Sequence, residues 1–437
     1  MSTQRTQRTQ RTGRGRRPRS AAVTGIGVIA PNGMRPDAFW KAVSEGVVVL
    51  DRISREGCGD LPLRVAGEVR AFDAGALIED RFLVQTDRFS HFAMAAAALA
   101  LDDAGLGSGD PADPFGVGVV TAAGSGGGEF GQRELQKLWG QGPKFVGPYQ
   151  SIAWFYAAST GQISIRGGFK GPCGVVASDE AGGLDALAHA ARDVRRGTGT
   201  MLVGAAEAPL APYSMVCQLG YPELSTVEEP ERAYRPFTPA ACGFVPAEGG
   251  ALLVVEDEER ARERGVPVRA TLAGHAATFT GASRWADSRA GLARAIEGAL
   301  DEAGCAPEEI DVVFADAMGV PEADRAEALA IADALGAHGT RVPVTAPKTG
   351  IGRAHCAAPV LDTVAAVLAM EHGQVPPTPN VSDICHDLDL VTSRARPAEL
   401  RTALVLSRGL MGSNAALVVR RGGESARQDR AGKEQTA

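Results

Sequence analysis

Two nearly identical strings recur along the chain: LDDAG at 101–105 and LDEAG at 300–304. Each closes a helix-like stretch, and each is followed by a loop and an apolar strand, GVGVVTAA in one case and IDVVFADA in the other. Further on, LDALAHAARDV in the first half has a counterpart in LDTVAAVLAME in the second. A sequence that repeats strand and helix units in this way points to a duplicated βα domain, with apolar strands buried between helices.

From Ser20 onward, strand-like and helix-like segments alternate, as expected for an α/β protein. AAVTGIGVIAPNG reads as a strand entering a turn, HFAMAAAALALDDAG as a helix stopped by Gly105, and FGVGVVTAAGSGGG as a strand entering a glycine loop. The halves should divide between Glu256 and Val268, where EDEERARERG gives way to a new apolar strand. This gives halves at 21–260 and 266–421, with a basic tail at 1–20 and a second tail at 422–437, both expected to be disordered.

The 437 residues are 44% apolar, enough for a large core, and with 5% aromatics that core should be aliphatic. A net charge of −7 argues against a nucleic-acid surface. No apolar run has membrane-spanning length and no signal segment appears, so a cytoplasmic protein with no membrane partner is expected. The seven cysteines show neither CxxC nor zinc spacing and read as free, buried thiols, with no metal site.

VVASDEAGGLDA, at 175–186, has the form of a strand, a tight turn and a helix start. Such a turn suits a nucleophile at a helix N-terminus, yet here it holds Glu180. The glycine run AAGSGGGEF lacks the lysine of a phosphate-binding loop and reads as close backbone packing.

Several blocks together resemble the thiolase-fold β-ketoacyl synthases: AVTGIGVIAPNG, YRPFTPAACGFVPAEGGALLVVED, APKTGIGR and SRGLMGSNAALVV. Within that family the chain resembles the chain length factors, the ketosynthase β subunits of type II polyketide synthases. GEFGQRELQKLWGQGPKFV, YQSIAWFYAASTGQISIRGG, SDEAGGLDA and VFADAMGVPEADRAEA carry that likeness. The resemblance implies a layered α-β-α-β-α fold of two duplicated halves. It also implies a ketosynthase α partner in a heterodimer, and substrates carried on the phosphopantetheine of an acyl carrier protein, with no other cofactor.

A condensing ketosynthase needs a Cys to hold the acyl chain and two His to stabilise developing negative charge. By resemblance, those positions are Glu180, Asp316 and Arg353, so no catalytic residue is expected. A lone buried carboxylate must be protonated or paired, which makes Arg353 a natural partner for Glu180 or Asp316 and the site a charged plug. Glu180→Gln, near-isosteric, should be well tolerated. Cys173 reads as a small buried hydrophobe. His355, two residues beyond Arg353, reads as a packing or solvent-exposed residue on a different face.

Gly128, Gly131 and Leu135, spaced i, i+3, i+7, match family positions that line the end of the polyketide tunnel. Trp154, Phe155 and Tyr156 offer an apolar surface to the partner. The first functional reading is thus a non-catalytic subunit that helps set chain length. The alternative is a malonyl-carrier decarboxylase that primes chains through Glu180. A free-standing condensing homodimer is opposed by the missing Cys.

Overall fold

The structure, a computed structural model, describes residues 19–107, 111, 113–281 and 284–423. Most of both expected tails therefore lies outside the described residues. Eleven strands form one mixed sheet. The first half contributes β1 (Ala21–Ile29), β2 (Val117–Ala122), β3 (Cys173–Val176), β4 (Thr200–Glu207) and β5 (Gly249–Asp257). The second contributes β6 (Ala270–Phe279), β7 (Val312–Phe314), β8 (Pro343–Thr345), β9 (Asp389–Leu390), β10 (Thr402–Arg408) and β11 (Ser413–Arg421).

The strand order is β9-β8-β7-β10-β11-β6-β1-β5-β4-β2-β3. In the first half, β3, β2 and β4 are parallel, then β5 and β1 follow antiparallel. In the second, β8, β7 and β10 are parallel, then β11 and β6 follow antiparallel. The halves meet where Ala22 and Val23 of β1 pair with Thr271 and Ala270 of β6. The duplication read from the sequence is thus a duplication of topology, with β9 added at one edge.

The helices that position the site are α1 (Arg88–Asp103), α2 (Gly128–Gln141), α3 (Ala158–Gly167), α4 (Gly182–Arg196), α5 (Pro212–Gln218), α6 (Ser288–Ala303), α7 (Pro321–Leu335) and α8 (Ala357–His372). The echoed segments LDALAHAARDV and LDTVAAVLAME lie in α4 and α8, which pack against strands of both halves and form the middle layer. Helices α1 and α3 cover the first half from outside, and α6 and α7 the second.

Strand periodicity shows why this layering forms. Leu253 and Val255 of β5 face the central core, while Leu252 and Val254 face the outer core under α1. In β10, Ala403 and Val405 face the centre and Leu404 and Leu406 the outer core under α6. Strands covered on both faces must be apolar at successive positions, which is why they read as continuous apolar runs.

The third residue of each echoed string does the same job in its own half. Asp103 accepts the Ile26 N–H of β1 at 2.8 Å, and Glu302 accepts the His275 N–H of β6 at 2.8 Å. The residue before each of these strand positions is a glycine, Gly25 or Gly274. A Cβ there would lie 2.2 Å from the Ala100 oxygen or 2.3 Å from the Ala299 oxygen. The outer helix can therefore lie on its strand only where the strand lacks a side chain.

Candidate functional site

Glu180 follows β3 and precedes α4 by two residues, in the turn the sequence reading assigns to it. The turn is strained and fastened. Asp179 has φ +52°, an uncommon left-handed conformation for a residue other than glycine. Its carboxylate accepts the Met411 N–H at 2.8 Å and the Ser413 hydroxyl at 3.0 Å, so the closing loop of the second half holds the turn of the first. Asp316 lies just beyond β7. Arg353 leads into α8, its backbone paired with the segment around Pro246: Arg353 N donates to Val245 O at 2.8 Å, and Ala247 N donates to Arg353 O at 3.1 Å.

These three side chains converge and are buried. Arg353 donates from Nε to Glu180 at 2.7 Å and from Nη2 to Asp316 at 2.7 Å, so it serves both acids. Its remaining donors reach the Asp316 carbonyl at 2.9 Å and the Arg408 carbonyl at 2.6 Å. A buried guanidinium is tolerable only when its fork is well bonded, and here each of its three nitrogens donates.

A second cation, Arg408 at the end of β10, also holds Asp316. Its backbone N–H donates at 2.9 Å and its Nε at 3.2 Å, while Nη2 reaches Glu327 of α7 at 2.9 Å. Lys348 donates to the Ala315 and Asp316 carbonyls at 2.8 and 3.1 Å and pairs with Asp362 at 2.5 Å. Burial works to raise the Asp316 carboxyl, but Arg353, Arg408 and Lys348 outweigh it and hold the group below its ordinary range. Burial likewise opposes the Glu180 carboxylate, and Arg353 and His355 overcome it, lowering its pKa.

His355 is not a bystander, contrary to the sequence reading. Its φ of +40° breaks helical spacing and turns the ring back to Glu180, with Nδ1 3.0 Å from Glu180 Oε1. Nε2 lies 3.1 Å from Gln218 Oε1 on α5. The Gln218 amide is oriented by its own donor, which reaches the Pro209 and Ser214 carbonyls at 2.8 and 3.2 Å. Both His355 nitrogens therefore face acceptors, an arrangement that favours the doubly protonated ring. Burial disfavours that imidazolium, but the Glu180 carboxylate prevails and raises the His355 pKa. The site thus sets Glu180 and Asp316 against Arg353 and His355, with Arg408 and Glu327 behind them.

No thiol replaces the missing nucleophile. Cys356 lies nearest, and its Sγ donates to the Asp179 carbonyl at 2.9 Å. Burial, together with Glu207 and Glu180, pushes its pKa well up, so the nucleophilic thiolate is suppressed. Cys173 opens edge strand β3 and is exposed, not the buried hydrophobe expected from sequence. Cys217 and Cys385 are also exposed, so burial of all the cysteines does not hold. A strand at the sheet edge has one open flank, and Cys173 sits on it.

A cavity of about 480 Å³ opens over the charged cluster, lined by Glu180, His355, Gln218, Ser214, Tyr156 and Gly128 among others. Gly128 begins α2 and belongs to this wall. Gly131 is buried one turn further on, with room for a Cβ 3.9 Å from that of Trp154. Leu135, two turns along α2 from Gly128, is 38% exposed. Trp154, Phe155 and Tyr156 are each at least 37% exposed, and Phe155 makes tilted ring contacts with both of the others. Arg408, Glu327 and Gln218 escaped the sequence reading. The available signal was Arg408 itself, a cation inside the apolar run ALVLSRGL, which demands buried partners.

Fold and site together define a thiolase-fold protein with a buried cluster of opposite charges beneath its cavity. The chain belongs to the β-ketoacyl synthase family: the family's N-terminal domain matches residues 19–261 and its C-terminal domain residues 269–382. It is 75% identical, over 92% of its length and 95% of the relative's, to a Streptomyces coelicolor protein provisionally named polyketide beta-ketoacyl synthase 2. It is 50% identical to the tetracenomycin polyketide synthase ketoacyl synthase beta subunit of Streptomyces glaucescens, covering 93% of this chain and 99% of that one. Among solved structures it resembles the ishigamide ketosynthase/chain length factor, with a TM-score of 0.86 and 28% identity over 93% of this chain and 100% of that one. Among the described residues, no helix is long and apolar enough to cross a membrane.

Proposed function

We propose that this chain is a non-condensing ketosynthase β subunit, a chain length factor of a type II polyketide synthase in the cytoplasm. It pairs with a thiol-bearing ketosynthase α, and its α2 face at Gly128, Gly131 and Leu135 borders the tunnel in which a carrier-bound polyketide grows. The observation that carries this reading is Arg353. Its guanidinium bonds Glu180 and Asp316 together, filling the place where a thiolate and two oxyanion donors would have to stand. The named relatives, among them a ketoacyl synthase beta subunit, support the assignment to this branch.

Pairing is supported by an unused flank. Strand β3 ends the sheet and hydrogen-bonds only to β2 among the described strands. The exposed aromatics Trp154, Phe155 and Tyr156 lie on the segment leading into α3, whose residues also pack on β3. Open strand edges and apolar patches in a stable protein are normally covered by a partner. Incubated alone with malonyl-loaded acyl carrier protein, the purified chain should release no more carbon dioxide than a blank. Robust release that disappears in Glu180→Ala would instead establish the decarboxylase reading. Co-expression with candidate ketosynthases, with co-purification and product masses, tests the pairing.

A further inference from the structure

We infer that Ser214, on α5, is a chain-length-determining residue that forms a single steric stop with Gly128. The inference rests on the reading of α2 as the tunnel helix. A Cβ added at Gly128 would lie 2.0 Å from the Ser214 hydroxyl oxygen and 3.4 Å from its Cβ. The space beside Gly128 is thus already taken up by a side chain from another helix. Both residues line the cavity over the charged cluster, so the hydroxyl stands where an advancing chain end would arrive.

The two walls are fixed relative to each other. Tyr213 N–H of α5 donates to Gln132 of α2 at 2.8 Å. The start of α2 is held from behind, with Phe130 N–H on the Asp87 carboxylate at 2.6 Å and Gly127 N–H on the Trp154 carbonyl at 3.0 Å. The far end of α5 is tied to the charged cluster through Gln218 and His355. A wall tied at both ends does not yield easily to extra chain atoms, so the side chain at 214 sets the free depth. It follows that Gly128 is not simply an open position: its apparent room is shared with Ser214.

The test uses the complex of this chain with its ketosynthase α, co-expressed and producing polyketide. Ser214→Leu, which leaves α2 untouched, should shorten the product by at least one two-carbon unit. Ser214→Val should act in the same direction if the leucine variant fails to assemble. Gly128→Ala should also shorten the product, and Gly128→Ala with Ser214→Ala should restore the wild-type length, because the added methyl then meets no hydroxyl. Wild-type product from Ser214→Leu or Ser214→Val, in a complex of normal stoichiometry and turnover, overturns the inference. Gly131→Thr separates the two levels: if it shortens the product while the 214 variants do not, only Ser214 is wrong. If the 128, 131 and 214 variants all leave the product unchanged, the tunnel reading fails as well.

Discussion

Gln218 turns its amide oxygen, not its nitrogen, toward His355. Its amide nitrogen is committed to two carbonyls, so its oxygen must face His355 Nε2 and can only accept. With Glu180 at Nδ1, both ring nitrogens face acceptors, and the Glu180 carboxylate raises the imidazole's pKa.

Glu180→Gln should therefore not be silent, although the two side chains have nearly the same shape. The neutral amide leaves Arg353 and His355 short of one negative charge and turns a donor toward one of them. Breaking one partner out of a buried charged set costs roughly 3–5 kcal/mol. Urea unfolding of the complex should show a loss of that order. An unchanged midpoint would mean that Glu180 is already neutral.

The His355 titration gives the sign of the pH effect. Its folded pKa is raised, so its contribution to stability is complete below about pH 6.5 and is lost as pH rises through the folded value. The stability difference between wild type and His355→Gln should accordingly be largest in mild acid and shrink toward alkaline pH. In histidine-labelled protein, the NMR midpoint of His355 should lie above that of a free imidazole and fall in Glu180→Gln.

Arg353→Ala should be strongly destabilising, because it strips both Glu180 and Asp316 of a cation at once. A loss of about 3–5 kcal/mol, read by denaturant unfolding, is expected. The carboxyls should then take up protons, making the variant relatively more stable as pH falls.

Asp103→Ala and Glu302→Ala offer a test of the duplication. Each leaves one strand N–H without its acceptor, so each should destabilise by about 1–3 kcal/mol. The sites lie in different halves, and their effects should add. Markedly unequal losses would show that the two caps are not equivalent.

Trp154→Ala should weaken pairing with the ketosynthase α. Half-exposed in the single chain, Trp154 has the character of an interface anchor, and such anchors cost about 2 kcal/mol or more on truncation. Titration of the partner by size exclusion or calorimetry should show an affinity loss of tenfold or more.

Much of the fold was legible because both halves repeat one grammar. LDDAG and LDEAG end outer helices, and LDALAHAARDV and LDTVAAVLAME build the middle layer. The approach of Glu180, Asp316 and Arg353 was legible only through family resemblance, since nothing in their spacing brings them together. His355 was misread because two residues along a regular helix do point apart, and the left-handed backbone at 355 breaks that rule. Cys173 was misread because a short apolar strand gives no sign in sequence of lying at an open edge. The Asp316, Arg408 and Glu327 contacts depend on how β7, β10 and α7 meet, which periodicity within each element does not encode.

The shared ownership of the buried acids makes the cluster hard to change one residue at a time. Glu180→Cys would leave His355 without its acid and Arg353 with Asp316 alone, and Asp316→His would leave Arg353 with Glu180 alone and Arg408 with Glu327 alone. Removing Arg353 first would leave Glu180 with His355 alone and Asp316 without its shortest ion pair. Each single step thus passes through a less stable protein, so changing the cluster would require several coordinated substitutions. The plug behaves as a ratchet on the lineage, and the cheaper path for variation is the wall of the cavity.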